Sequence, residues 1–199
     1  MTRSPLTALP GERLPGIGHN QGPPLEPGRS FRRFAWKKAR AALMPRLPLE
    51  VLRRRVARAK ELGLAYPAYA SILLGSGRDI VGFLFTAEAI GLRLQRGEID
   101  AGAGVKLQSL TEVKRFLMTA AEQNPIAVGE VLARHRVEVS GMGAAPERDA
   151  DAFPAIRAIL DPAKLPGDAV VMIGTAARER DWAETARLAK FLPASAYFG

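Results

Sequence analysis

The sequence predicts a mainly α-helical protein with a small βα element near the C-terminus and a disordered N-terminal tail. Three observations favour this fold class. Apolar residues recur at helical spacing over most of the chain after residue 30, which is typical of amphipathic helices. One continuous apolar run of strand length, Ala169–Ile173, lies near the C-terminus. Residues 1–28 show neither a helical nor a strand period.

The tail contains a short motif rich in glycine and proline, Gly16-Ile17-Gly18-His19-Asn20-Gln21-Gly22-Pro23-Pro24-Leu25. It does not fit a dinucleotide-binding loop, because its glycines have the wrong spacing and two prolines stand where a helix should begin. A linear motif displayed on a flexible arm is the better interpretation. His19 and Asn20 are therefore predicted to contact a protein partner.

Two basic helices are predicted after the tail. The first spans 31–43, with Ser30 as a plausible N-cap and Pro45 as its stop. The second spans 49–62, has apolar residues at coiled-coil-like spacing, and ends at Gly63.

The core is predicted to be helical as well. A helix over 78–93 is apolar around most of its circumference, so we expect it to lie at the centre of the core. Ser109-Leu110-Thr111-Glu112 has the form of a capping box and predicts a helix through Val113 and Ala120. The other predicted elements are a short helix at Tyr69–Leu74, helices at 126–135 and 154–160, a loop at 137–150, a strand at 169–173, a helix at 177–192 and a short strand at 196–198. The predicted organisation is a tail (1–28), a basic helical domain (29–136), a loop (137–150) and a small C-terminal α/β element packed on the core (151–199).

Composition excludes several classes of site. The chain has no cysteine, so it has neither a disulfide framework nor a thiolate metal site. His19 and His135 are its only histidines, and no Gly-x-Ser-x-Gly motif is present. We therefore expect no metal and no cofactor. Enzymatic activity stays open, because the spatial proximity of Ser, His and Asp is not visible in a sequence, and a non-enzymatic role is favoured. No apolar run suggests a signal peptide or a membrane span, so a cytoplasmic location is expected.

Charge is distributed unevenly along the chain. Residues 1–60 hold 14 Lys and Arg against three Asp and Glu, whereas residues 61–199 hold 15 against 17. A basic segment of this kind favours polyanionic partners, since Lys and Arg that neutralise phosphates release condensed counterions. The alternative is a pair of solvated helix faces. The predicted nucleic-acid contacts are Arg32, Arg33, Trp36, Lys37, Lys38, Arg40, Arg53, Arg54, Arg58 and Lys60, with Trp36 stacking on an unpaired base.

Two more specific hypotheses, a helix-turn-helix and a phosphate-binding strand–helix unit, do not fit the residues that they require. A helix-turn-helix would make 78–93 the recognition helix, but its surface lacks the polar side chains that read base edges. The strand followed by Gly174-Thr175 could present amide groups to a phosphate, and it resembles the last motif of haloacid dehalogenase-like phosphatases. Thr175 replaces the first aspartate of that motif, Asp181 lies too far along, and no Asp-x-Asp pair follows a strand. A structural βα unit is the better interpretation.

The tail motif and the stretch Tyr69–Phe85, with Gly77-Arg78-Asp79-Ile80-Val81 inside it, resemble an uncharacterised alphaproteobacterial protein family. The resemblance implies a bacterial cytoplasmic protein and implies no activity. The sequence thus favours a non-enzymatic nucleic-acid-binding or regulatory accessory protein. The alternatives are an adaptor that docks through its tail motif and, less favoured, an enzyme with a polar cleft between the helical core and the unit at 169–192. Oligomeric state stays open.

Overall fold

A parallel β-sheet of five short strands organises the part of the chain that the structure describes, in the order β3-β2-β1-β4-β5. The structure is a computed structural model, and it describes residues 47–199. Within that range the elements are α1 (Leu49–Glu61), α2 (Tyr66–Ser76), β1 (Gly82–Thr86), α3 (Ala101–Ser109), β2 (Lys114–Thr119), α4 (Pro125–Arg134), β3 (Gly141–Ala144), α5 (Ala152–Leu160), β4 (Val170–Gly174), α6 (Ala177–Thr185), β5 (Lys190–Pro193) and α7 (Ala194–Phe198). Short 3₁₀ turns lie at Asp149–Asp151, Asp161–Ala163 and Gly167–Ala169.

The predicted fold class is wrong: the protein has an α/β fold, and the sheet forms its centre. The predicted central helix at 78–93 instead contains β1, which pairs with β2 on one side and β4 on the other. Every residue of β1 is buried. A strand covered on both faces has no apolar–polar alternation, so its sequence is a continuous apolar run that also suits a buried helix.

The predicted capping box ends one helix and does not begin another. Ser109 is the last residue of α3, and its hydroxyl donates to the backbone carbonyl of Lys106 at 2.7 Å. Glu112 has a φ of 54°, outside the helical region. The chain turns there and continues into β2, where the sequence predicts a helix over Val113–Ala120.

An edge strand lies inside the segment 137–150, for which a loop is predicted. β3 pairs with β2 and packs against α5, which leaves little room for side chains. A Cβ on Gly143 would lie 2.6 Å from Cγ1 of Ile159, and one on Gly141 would lie 3.1 Å from the Phe116 ring. Close packing therefore requires glycine in this strand. Because glycine has a low strand propensity, the sequence of this segment does not indicate a strand.

Helices cover both faces of the sheet. One core contains side chains from α1 to α4 and α7 together with Phe83, Phe85 and Ile173. The other contains side chains from α5 and α6 together with Leu84, Phe116 and Met172. Alternate residues of each central strand thus enter opposite cores, as expected of a doubly wound α/β fold.

Several local predictions agree with the structure. α1 and α5 lie where helices are predicted, Asn124 caps α4 through Oδ1 and the amide of Ile126 at 2.9 Å, and β4 coincides with the predicted strand. The predicted helix 177–192 is shorter, because α6 ends at Thr185 and β5 follows. The predicted strand at 196–198 belongs to α7. In residues 47–199, no helix combines the length and the apolar character needed to cross a membrane.

Candidate functional site

Helix α1 presents the predicted basic surface. Its sequence, LEVLRRRVARAKE, contains five Arg and Lys residues, and Ala59 is its single buried residue. Arg53, Arg54 and Lys60 are exposed. Arg53 pairs with Glu50 at 2.8 Å, but both side chains are more than 60% exposed, so this pair leaves the guanidinium open to other partners.

Arg58, which is predicted to contact nucleic acid, points inward and makes contacts within the fold. Its Nε lies 3.0 Å from Oδ2 of Asp79 and its Nη1 lies 2.9 Å from Oε2 of Glu61, with the Arg58 side chain only 19% exposed. Its Nη2 also donates to the backbone carbonyls of Ile80 at 3.0 Å and Glu112 at 3.2 Å. Arg58 therefore joins α1 to the segments that lead into β1 and β2, and these contacts leave little of it for a phosphate.

The surroundings of Arg58 keep it charged. Burial lowers its pKa, but the hydrogen bond to Glu61 and the charge of Asp79 outweigh that effect, and the net shift is upward. The same aspartate accepts a hydrogen bond from the hydroxyl of Tyr69 at 2.9 Å. Burial and Asp79 together raise the pKa of Tyr69 to about 12.

Arg55 is a basic residue that the predicted site omits, because it lies at the edge of the apolar stripe of α1. Together with Arg54, Arg58, Tyr69 and Asp79 it lines a shallow depression of about 290 Å³, which Val51 completes. Arg55 is half-buried at its wall. The basic surface of α1 thus consists of Arg53, Arg54, Arg55 and Lys60, and we use that name for these four residues.

The remaining predicted site residues lie outside the described range 47–199. They are Arg32, Arg33, Trp36, Lys37, Lys38 and Arg40 for nucleic acid, and His19 and Asn20 for a protein partner. The predictions that concern them stay predictions.

A cleft lies at the carboxyl edge of the sheet, and no pattern in the sequence indicates it. It has a volume of about 190 Å³, and its walls come from the ends of β1, β2 and β3 and from the first turns of α6. Its polar lining residues are Thr86, Glu88, Thr119, Gln123, Arg178 and Glu179. These residues are scattered over more than ninety positions of the chain, and only the parallel order of the strands brings them together.

The start of α6 differs from a phosphate-binding loop. The Glu179 carboxylate, which is 6% exposed, accepts hydrogen bonds through Oε2 from the amides of Thr175 at 2.6 Å and Ala176 at 2.9 Å. These are the amides that the sequence offered to a phosphate. A negative side chain at the positive end of the helix dipole therefore takes the place of an anion from solution.

Metal chemistry finds no support in the described part of the chain. Across residues 47–199, no three His, Asp or Glu side chains are grouped so as to hold an ion. His135 caps the end of α4, and its Nε2 lies 3.2 Å from the carbonyl oxygen of Gly97.

No protein-family model, curated protein or solved structure matches the chain.

Proposed function

We propose that the protein is a cytoplasmic, non-enzymatic accessory protein that binds nucleic acid through phosphate contacts made by the basic surface of α1. The observation that carries the proposal is the exposure of Arg53, Arg54 and Lys60 on one short helix. Glu50 is the one acidic partner that these three have in the described residues. Guanidinium and ammonium groups with so few internal partners gain most from a polyanion.

The nearby acidic groups do not cancel this surface. Glu61 and Asp79 both pair with Arg58, which compensates one of their two negative charges within the fold. The remaining negative charge and that of Glu50 are outnumbered by the four positive charges of the basic surface of α1. Arg58 therefore attaches α1 to the rest of the fold, whereas the residues of the basic surface of α1 are available to a ligand.

Binding of this kind has weak sequence preference. A single helix of arginines and lysine offers charge but no amide or carboxylate groups arranged for base edges. Each phosphate neutralised on B-DNA contributes about −0.9 to the slope of log affinity against log salt concentration. Three contacts from α1 would contribute a slope of about −3.

The test is fluorescence anisotropy with labelled double-stranded DNA, single-stranded DNA and RNA, over a range of about 50 to 300 mM salt. The variant combines Arg53→Gln, Arg54→Gln and Lys60→Gln. We expect weaker binding in the variant and a salt slope that is shallower by about 3.

The matched control combines Arg93→Gln, Arg96→Gln and Arg136→Gln. These arginines are also exposed, and none of them belongs to α1. The control loses the same charge, so an equal loss of affinity in both variants would show that net charge alone binds the nucleic acid. No binding by the unaltered protein at the lowest salt concentration would refute the proposal.

A further inference from the structure

The cleft at the carboxyl edge lies where the strand order of the parallel sheet reverses, between β1 and β4. The chain leaves β1 towards α3, on the face of the first core, and leaves β4 towards α6, on the opposite face. The two connections diverge, and a crevice opens above the ends of the strands. In open parallel sheets, ligands bind in this crevice.

The cleft contains polar atoms with unused hydrogen-bonding capacity. Glu179 uses Oε2 for two backbone amides, but Oε1 has no hydrogen-bond partner in residues 47–199 and is not sealed from solvent. Thr86, 4% exposed, accepts from the amide of Ala89 at 3.3 Å, and its hydroxyl proton has no acceptor among the described residues. Gln123 accepts from the amide of Ala120 at 3.0 Å, which leaves its NH₂ group available.

The charges in the cleft favour a cation. Two carboxylates, Glu88 and Glu179, and one guanidinium, Arg178, line it. The guanidinium of Arg178 lies over the ring of Trp182, 5.0 Å from the centroid. It therefore already has a cation–π partner within the fold. Glu179 occupies the amides of Thr175 and Ala176, which precede α6. A phosphate in the cleft would therefore meet an excess of negative charge.

The size of the cleft limits the part of a ligand that it can enclose. About 190 Å³ is the space of roughly six water molecules at ~30 Å³ each. Sites for larger organic ligands usually occupy about 300–1,000 Å³. The cleft can enclose a short aliphatic amine, but it cannot enclose a whole nucleotide.

We propose that this cleft binds a small organic ammonium ion, whose N–H groups donate to the free oxygen of Glu179 and whose charge is balanced by Glu88 at the mouth. The ligand's aliphatic part then lies against Leu92, Met118 and the Trp182 ring, which also line the cleft. This site is separate from the basic surface of α1, and it does not depend on nucleic-acid binding.

The test uses the fluorescence of Trp182 as its readout. The chain has two tryptophans, so Trp36→Phe in the full-length protein leaves Trp182 as the only reporter. The probes are 1,4-diaminobutane, the neutral 1,4-butanediol and the anionic succinate, which share a four-carbon chain. They are titrated at constant ionic strength. We expect a saturable change in emission with the diamine and none with the other two.

Two further variants connect the signal with the cleft. Glu88→Gln removes an exposed carboxylate that lines it, and Glu122→Gln removes an exposed carboxylate beyond it. Removal of Glu88 should weaken diamine binding two- to fivefold, by about the value of an exposed ion pair, while removal of Glu122 should leave it unchanged. Equal effects of the two variants, a response to succinate or butanediol that matches the diamine, or no saturable response to any probe would overturn the proposal.

Discussion

Replacement of Arg58 by alanine is expected to destabilise the fold by about 2–4 kcal/mol. The side chain makes two ion pairs with partly exposed carboxylates, each worth about 0–1 kcal/mol. It also donates to the backbone carbonyls of Ile80 and Glu112, and each such bond contributes about 1 kcal/mol. In a domain of this size, the sum corresponds to a fall in Tm of about 4–16 °C.

The assay is thermal unfolding followed by circular dichroism, with Arg54→Ala as the matched control. Arg54 is exposed on the same helix and has no ion pair within the described residues, so its removal should change stability by less than about 0.5 kcal/mol. Arg58→Lys keeps the charge but loses the planar fork, and we expect it to be intermediate. If Arg58→Ala and Arg54→Ala melted at the same temperature, the structural role assigned to Arg58 would be wrong.

Two further changes test other parts of the structure. A Cβ on Gly174 would overlap the Glu179 carboxylate and lie 2.8 Å from the Phe191 ring, so Gly174→Ala should cost about 2–4 kcal/mol in chemical denaturation. Gly129, in α4, has open space around it, and Gly129→Ala should gain about 0.5–1 kcal/mol; similar effects at the two sites would contradict the packing described. The pKa of Tyr69 is raised to about 12, so the folded protein keeps this proton after the unfolded chain has lost it, and stability should fall as pH rises from about 10 towards 12. Urea midpoints over that range should fall less steeply in Tyr69→Phe, and an unchanged slope would show that Tyr69 does not contribute.

The sequence predicts correctly those elements that have a residue signal at their start or end, such as a helix cap or a terminating glycine. Helix α4 begins with Asn124-Pro125, a cap followed by a proline at the first helical position, and β4 is a β-branched run closed by Gly174. β1 lacks such signals, since strands buried on both faces and buried helices share one apolar pattern. Once β1 was assigned to a helix, no parallel sheet could be inferred, and the fold class followed that error.

The basic surface of α1 and the cleft at the carboxyl edge of the sheet also differ in how far the sequence predicts them. The charge of α1 is a property of neighbouring residues, so the sequence alone located it. The role of Arg58 depends on Asp79, Ile80 and Glu112, which are distant in sequence. The cleft depends on residues at the ends of three strands and on α6, and Glu179 reaches back to the amides of Thr175 and Ala176. Neither could be predicted before the strand order was known.

The central position of β1 has a consequence for folding of the chain during its synthesis on the ribosome. β1 is translated more than eighty residues before β4, one of its two partners: Gly82 pairs with Val170 and Leu84 with Met172. During elongation, β1, β2 and β3 can associate while one side of β1 still lacks its neighbour. An apolar strand with an open edge is a template for pairing with other chains. The interval between synthesis of β1 and of β4 is therefore the period in which a nascent chain most needs shielding by chaperones, and slow translation through the α5 region would lengthen it.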